Sequence, residues 1–203
     1  MTWGELKAIS LQKMYAVEGP SVGSTRDTEP YLDQLYAPAN EALMLVATAA
    51  RPLLRVVAIA QEGPEGEGAA RVYELADLAE RFFKLAEGLV YEERRGAQVR
   101  TADYLLEAPG RLLLPNRAGR WRVTCLCYPR EITPDTGDAT VLEVDPDAAV
   151  LLPLYVASQL FKDDEPTVAA QLRNEFELGL QRLAATAPTP QGGLHFVSAR
   201  GWH

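Results

Sequence analysis

Apolar residues recur at steps of three and four at both ends of the chain and in short, strand-like runs in its middle. The first helical stretch starts at Thr2. Thr2 and Glu5 have the spacing of a capping box, in which each side chain satisfies the other's free backbone N–H. Leu6, Ile9 and Lys13 carry the spacing to about Tyr15. "EGPSVGSTRDTEP" then breaks it as a loop. A second helix is predicted from about Glu29 to Ala50, with Leu32, Leu35, Ala39, Leu43, Val46 and Ala50 on one stripe. Pro38 lies inside it and predicts a kink between Gln34 and Pro38, because proline lacks the N–H and crowds the preceding turn. Arg51-Pro52 ends the helix.

From Leu53 the pattern changes. "LLRVVAIA", "RVYEL", "LAEGLVYEE", "AQVRTADYLLE", "RLLL" and "RWRVTCLCYP" read as strands, and "ADLAERFFK" as one short helix. "QEGPEGEG", "RRG", "APG" and "PNRAG" supply loops and turns. In "RWRVTCLCYP" the period of two places Trp121, Val123, Cys125 and Cys127 on one face. Short strands at near-regular spacing predict a small antiparallel sandwich or barrel-like domain.

Helices return at "DPDAAVLLPLYVASQLFKDDEP", residues 145–166, with Asp145 as cap and Pro146 in the first turn. This stretch is apolar almost all round, so it must be enclosed on every side. Pro153 predicts a bend there, matching the one at Pro38. The fourth helix carries Val168, Leu172, Phe176, Leu180 and Leu183 on one stripe. The fold class expected is therefore α+β. A helical pair over 1–52 packs with a second pair over 145–185, a β domain over 53–144 is inserted between them, and 186–203 form an extended arm.

Apolar residues make up 47% of the chain, enough to build a core, while net charge −8 argues against a general grip on nucleic acid. No apolar run reaches the ~20 residues of a membrane span, and the first residues lack a signal-peptide pattern. Cys125 and Cys127 stand too close in sequence to form a disulfide framework, so a reducing compartment is the simpler expectation.

Candidate chemistry is sparse. A zinc site at Cys125-x-Cys127 would need two more ligands, and the only histidines are His195 and His203, in the arm. No nucleophile elbow, H-E-x-x-H, P-loop or G-x-G-x-x-G is present. Glu92-Glu93 reads as a strand end and Asp163-Asp164-Glu165 as negative charge at a helix start. No catalytic residue, metal or cofactor is expected. Phe196 and Trp202 in the arm, with Tyr155 in the all-apolar helix, are the candidates for contact with a neighbouring subunit.

"WRVTCLCYPREITPDTGD" followed by "LEVDPDAAVLLPLYVASQLFKDDEPTVAAQLRNEFELGL" resembles the head–tail connector (adaptor) proteins of tailed bacteriophages. "TWGELKAISLQKMY" and "YLDQLYAPANEALMLVAT" fit the same layout, so the resemblance spans most of residues 1–183. It rests on order and spacing and carries no catalytic or ligand signature. It implies a structural virion protein of the neck, assembled in the host cytoplasm as a homo-oligomer, commonly a ring of twelve. The ring would sit under the portal protein and above a stopper or tail protein, and DNA would pass through its lumen without sequence readout. The alternatives are a stopper or tail-completion protein, or a non-viral module that binds through its β domain.

Overall fold

The computed structural model describes residues 1–14 and 29–186. The chain is α+β, its sheets are antiparallel, and no barrel closes among the described residues. It divides into two compact units. One gathers Met1–Leu54, Glu80–Phe83 and the described chain from Leu126 onward; the other holds Arg55–Ala79 and Lys84–Cys125.

The first unit begins with α1 (Trp3–Met14). Its capping box forms as the spacing predicts: Thr2 N donates to Glu5 Oε2 at 2.8 Å, and Glu5 N donates to Thr2 Oγ1 at 3.2 Å. Two more free N–H groups of this helix end are met by a distant loop, since Trp3 N donates to Thr140 O and Gly4 N to Asp138 O at 2.8 and 2.9 Å. The buried residues are Trp3, Leu6, Ala8, Ser10, Leu11 and Met14, rotated from the predicted stripe: Ile9 is half-buried and Lys13 exposed. Ser10 stays in the core because its hydroxyl donates to Leu6 O at 2.7 Å.

The predicted kink at Pro38 is a full break. Residues 29–50 form α2 (Glu29–Leu32), a turn, and α3 (Tyr36–Ala49). Pro38 then lies in the first turn of α3, where an N–H would have no helical partner, so the ring costs no backbone bond. The stripe survives the break, and Leu35, Ala39, Leu43, Val46 and Ala50 are all buried.

Pro153 repeats this arrangement. α5 (Pro146–Ala149) ends in a tight turn in which Leu151 N donates to Ala148 O, and α6 (Leu152–Leu160) restarts with Pro153 in its first turn. Each proline opens a new helix after a four-residue one. Every residue of α6 from Leu152 to Ser158 is buried. It packs against α1, α3 and α7 (Pro166–Ala185), so its own chain encloses the helix that is apolar all round. On α7, Leu172 and Phe176 are buried as predicted, but the stripe enters at Ala169 and leaves Val168 exposed.

The second unit holds most of seven strands: β1 (Leu53–Gln61), β2 (Ala70–Glu74), β3 (Phe82–Arg94), β4 (Ala97–Arg100), β5 (Leu105–Ala108), β6 (Arg111–Pro115) and β7 (Gly119–Cys127), with α4 (Leu75–Leu78) after β2. They make two separate sheets, in the orders β1-β7-β3-β4 and β2-β6-β5. The barrel-like expectation is thereby corrected. No described strand joins β4 back to β1, and β5, β6 and β2 pair only among themselves.

The β3–β4 hairpin turns in two residues. Arg94 pairs with Ala97, and Arg95 and Gly96 both take positive φ, 53° and 79°, the two-residue turn that matches strand twist. On β7, Trp121, Val123, Cys125 and Cys127 share one buried face, as the period of two requires.

Residues 128–144, which the pattern grouped with the strands, pack in the helical unit. Thr2 bridges to Val141, and the Asn40 amide bonds both backbone groups of Ile132.

Candidate functional site

Of the three residues expected to meet a neighbouring subunit, Phe196 and Trp202 lie outside the described residues, as does the arm from residue 187 on. Tyr155 lies in α6, 5% exposed. Its hydroxyl donates to Glu41 Oε2 at 2.9 Å. Its ring meets Phe176 edge-on, with centroids 5.0 Å apart, and the Arg173 guanidinium lies 4.7 Å from the ring centre. Burial, then the Glu41 carboxylate, raises the phenol's pKa. Arg173 donates to Glu177 at 2.6 Å; burial opposes its charge, but the bonds to Glu177 and Tyr155 outweigh it and raise its pKa. The result is a neutral phenol that acts as a donor and ties α6 to α3 and α7.

Carboxylates also cluster in the β unit. Glu92 is 3% exposed and sits between two guanidinium groups, Arg94 at 2.6 Å and Arg117 at 2.9 Å; Arg117 also reaches Asp103 at 3.3 Å. A buried carboxylate needs such partners. The cluster carries two acids and two bases and binds the loop after β6 to the end of β3. Its neighbour Glu93 points the other way, half-buried, with Arg120 at 3.9 Å. The pair therefore divides across the two faces of the strand.

The acidic run lies at the start of α7, as the sequence predicts. Glu165 is the N-cap but makes no side-chain cap bond, while Asp164 accepts a hydrogen bond from Tyr31 Oη. Asp145 caps α5 by position alone, again without a side-chain bond. Its neighbour Asp147 accepts from Arg51 Nη2 at 2.7 Å and Nε at 3.0 Å, and Arg51 Nη1 donates to Leu183 O at 2.7 Å near the end of α7. The hydrogen bond to Arg51 holds the Asp147 carboxyl below its ordinary pKa.

Cys125 and Cys127 are buried, and neither is in a disulfide. Among the described residues no group of three or more His, Cys, Asp and Glu is placed to hold a metal ion, and no helix is long and apolar enough to cross a membrane. His195 and His203 lie outside the described residues.

Three surface and core features escaped the sequence reading. A cleft of about 490 Å³ opens between α1, the α2–α3 turn and the loop at 133–138. Trp3, Tyr36 and Pro134 wall it, Asp33 lines it, and Lys7 forms an ion pair with Asp138. In β1, Leu54 and Val56 are 55% and 59% exposed. At the far end of β1, Gln61 is 4% exposed, and neither polar atom of its amide has a hydrogen-bond partner among the described residues, nor has Trp121 Nε1.

No protein family matches the chain by its sequence profile, and no curated protein matches it.

Proposed function

We propose that this chain is a structural subunit of the head–tail connector kind: one member of a homo-oligomeric ring, commonly of twelve, seated between a portal protein and a stopper or tail protein. The observation that carries this reading is the discontinuous helical unit. α1 and α3 from one end of the sequence share a core with α6 and α7 from the other, and most of the strand region between them belongs to a second unit. This is the layout that the resemblance to phage connectors implies. Net charge −8 supports passage of DNA through a lumen without adhesion, because like charge keeps the duplex off the wall. The work of such a subunit is to hold neighbours in register, with no catalytic step.

The test is co-assembly. The full chain mixed with a portal ring should give a complex whose mass adds whole rings of this chain. A chain that ignores the portal but caps the tail-side protein would reassign it as a stopper or tail-completion protein. A chain that joins neither would overturn the reading.

A further inference from the structure

β1 is an outer strand of its sheet, and its outer edge has no described partner. Exposed strand edges invite pairing with another chain, and proteins blunt them with short strands, charges, proline or bulges. The other three edge strands carry such devices. β4 has four residues and ends on Arg100. β5 has four residues and a register shift between Leu106 and Ala108. β2 has five, with Arg71 and Glu74. β1 runs for nine residues without proline, and its one charge, Arg55, lies on the opposite face from Leu54 and Val56.

The exposed face of β1 reads Leu54, Val56, Ala58, Ala60. It runs from large to small, which makes it complementary to its own reverse. Val57 is the midpoint of Leu53–Gln61. An antiparallel pair of two copies centred on Val57 sets Leu54 against the second copy's Ala60 and Val56 against its Ala58. On the other face Arg55 meets Ile59, so no like charges face each other. Moving the centre to residue 56 brings Pro52, which has no N–H, opposite Ala60. Moving it to residue 58 brings Glu62 opposite Leu54. Only the centre at Val57 pairs the strand over its whole length.

We infer that the edge of β1 is covered by a second copy of this chain, paired antiparallel about a two-fold axis at Val57, so that two four-stranded sheets join into one. The contact is isologous; it joins two free chains, or one ring to another, and does not run around a ring. It stands apart from the connector reading, and a chain that joins a portal yet does not pair through β1 overturns the pairing alone.

The experiment is mass measurement by sedimentation on the full chain across a concentration series. The wild type should form even-numbered species that strengthen with added salt, because each copy carries −8. Val56→Lys should halve the mass, and Ala58→Lys should do the same, with circular dichroism unchanged. The double variant Val56→Cys/Ala58→Cys should form intermolecular disulfides on mild oxidation, since directly opposed positions lie within bridging distance and diagonal ones do not. Either cysteine alone should fail to link. A monomeric wild type, an unchanged mass in folded Val56→Lys, or single cysteines that link as readily as the pair would each overturn the inference.

Discussion

Asn40 and Ile132 are joined by two reciprocal hydrogen bonds, both 2.8 Å: Asn40 Nδ2 donates to Ile132 O, and Ile132 N donates to Asn40 Oδ1. One side chain on α3 thus satisfies both backbone groups of a loop residue 92 positions away. Ile132 itself is buried in the helical core. Asn40→Ala leaves both groups without that partner and should destabilise the fold by about 2–3 kcal/mol in urea unfolding. Asn40→Asp keeps the acceptor but loses the donor, so it should fall between the two. Equal stability of Asn40→Ala and wild type would show that the loop is held by other contacts.

Gly4 lets the same loop approach the start of α1. A Cβ at this position would lie 3.0 Å from Asp138 Cβ and 3.2 Å from Asp138 O. Gly4→Val should push the loop away, lose the bond from Gly4 N to Asp138 O, and lower stability by about 1–3 kcal/mol. Thr2→Ala removes the cap alone and should cost about 1 kcal/mol. Melting temperatures of the two variants should rank Gly4→Val below Thr2→Ala.

The Arg51–Asp147 pair predicts an acid dependence. Its hydrogen bond lowers the Asp147 pKa from the ordinary value of about 3.8. The contribution is complete above that value and is lost as pH falls through the lower folded one. Asp147→Asn should therefore melt below wild type at neutral pH, and the gap should close only in acid below pH 3.8. Asp147 is exposed, so high salt should narrow the gap at neutral pH as well. A gap independent of both pH and salt would exclude the ion pair as its source.

Gln61 points to a stabilising substitution. Its amide is buried without hydrogen-bond partners among the described residues, an arrangement that costs the desolvation of each group. Gln61→Met keeps the length and removes the polar atoms, so it should raise stability by about 1–2 kcal/mol. A loss of stability would mean that the amide finds partners in solution.

Local signals in the sequence carried far into the fold. The capping box at Thr2 and Glu5, the buried face of Trp121, Val123, Cys125 and Cys127, and the turn at Arg95-Gly96 each depend on residues within a few positions of one another, so spacing alone predicts them. The enclosed helix was legible for the same reason, since a surface apolar on every side has to be covered. Pro38 and Pro153 were read as bends in long helices, and here local reading stopped short. Proline disfavours helix interiors but is free in a first turn. Whether a helix bends around it or restarts before it depends on what the freed residues pack against: Leu35, just ahead of Pro38, is buried in the core.

The site was less legible. Glu92 reads in sequence as one of two adjacent carboxylates, and its guanidinium partner Arg117 lies 25 positions on, beyond the hairpin. Tyr155 meets Glu41 across 114 positions. No periodicity encodes such pairs.

The sequence by itself determined most of the element types, the face that β7 buries, the α1 cap and the need to enclose residues 152–158, because these follow from side-chain spacing and backbone chemistry over one or two turns. The tertiary structure decided that residues 128–144 belong with the helices, that the strands divide into two sheets, that Pro38 and Pro153 each open a helix, and that β1 is an outer strand whose outer edge has no partner strand among the described residues. These depend on contacts between distant segments, where a loop goes to whichever unit supplies hydrogen bonds to its backbone. For residues 128–144, those bonds come from Asn40 and from the N-terminal end of α1.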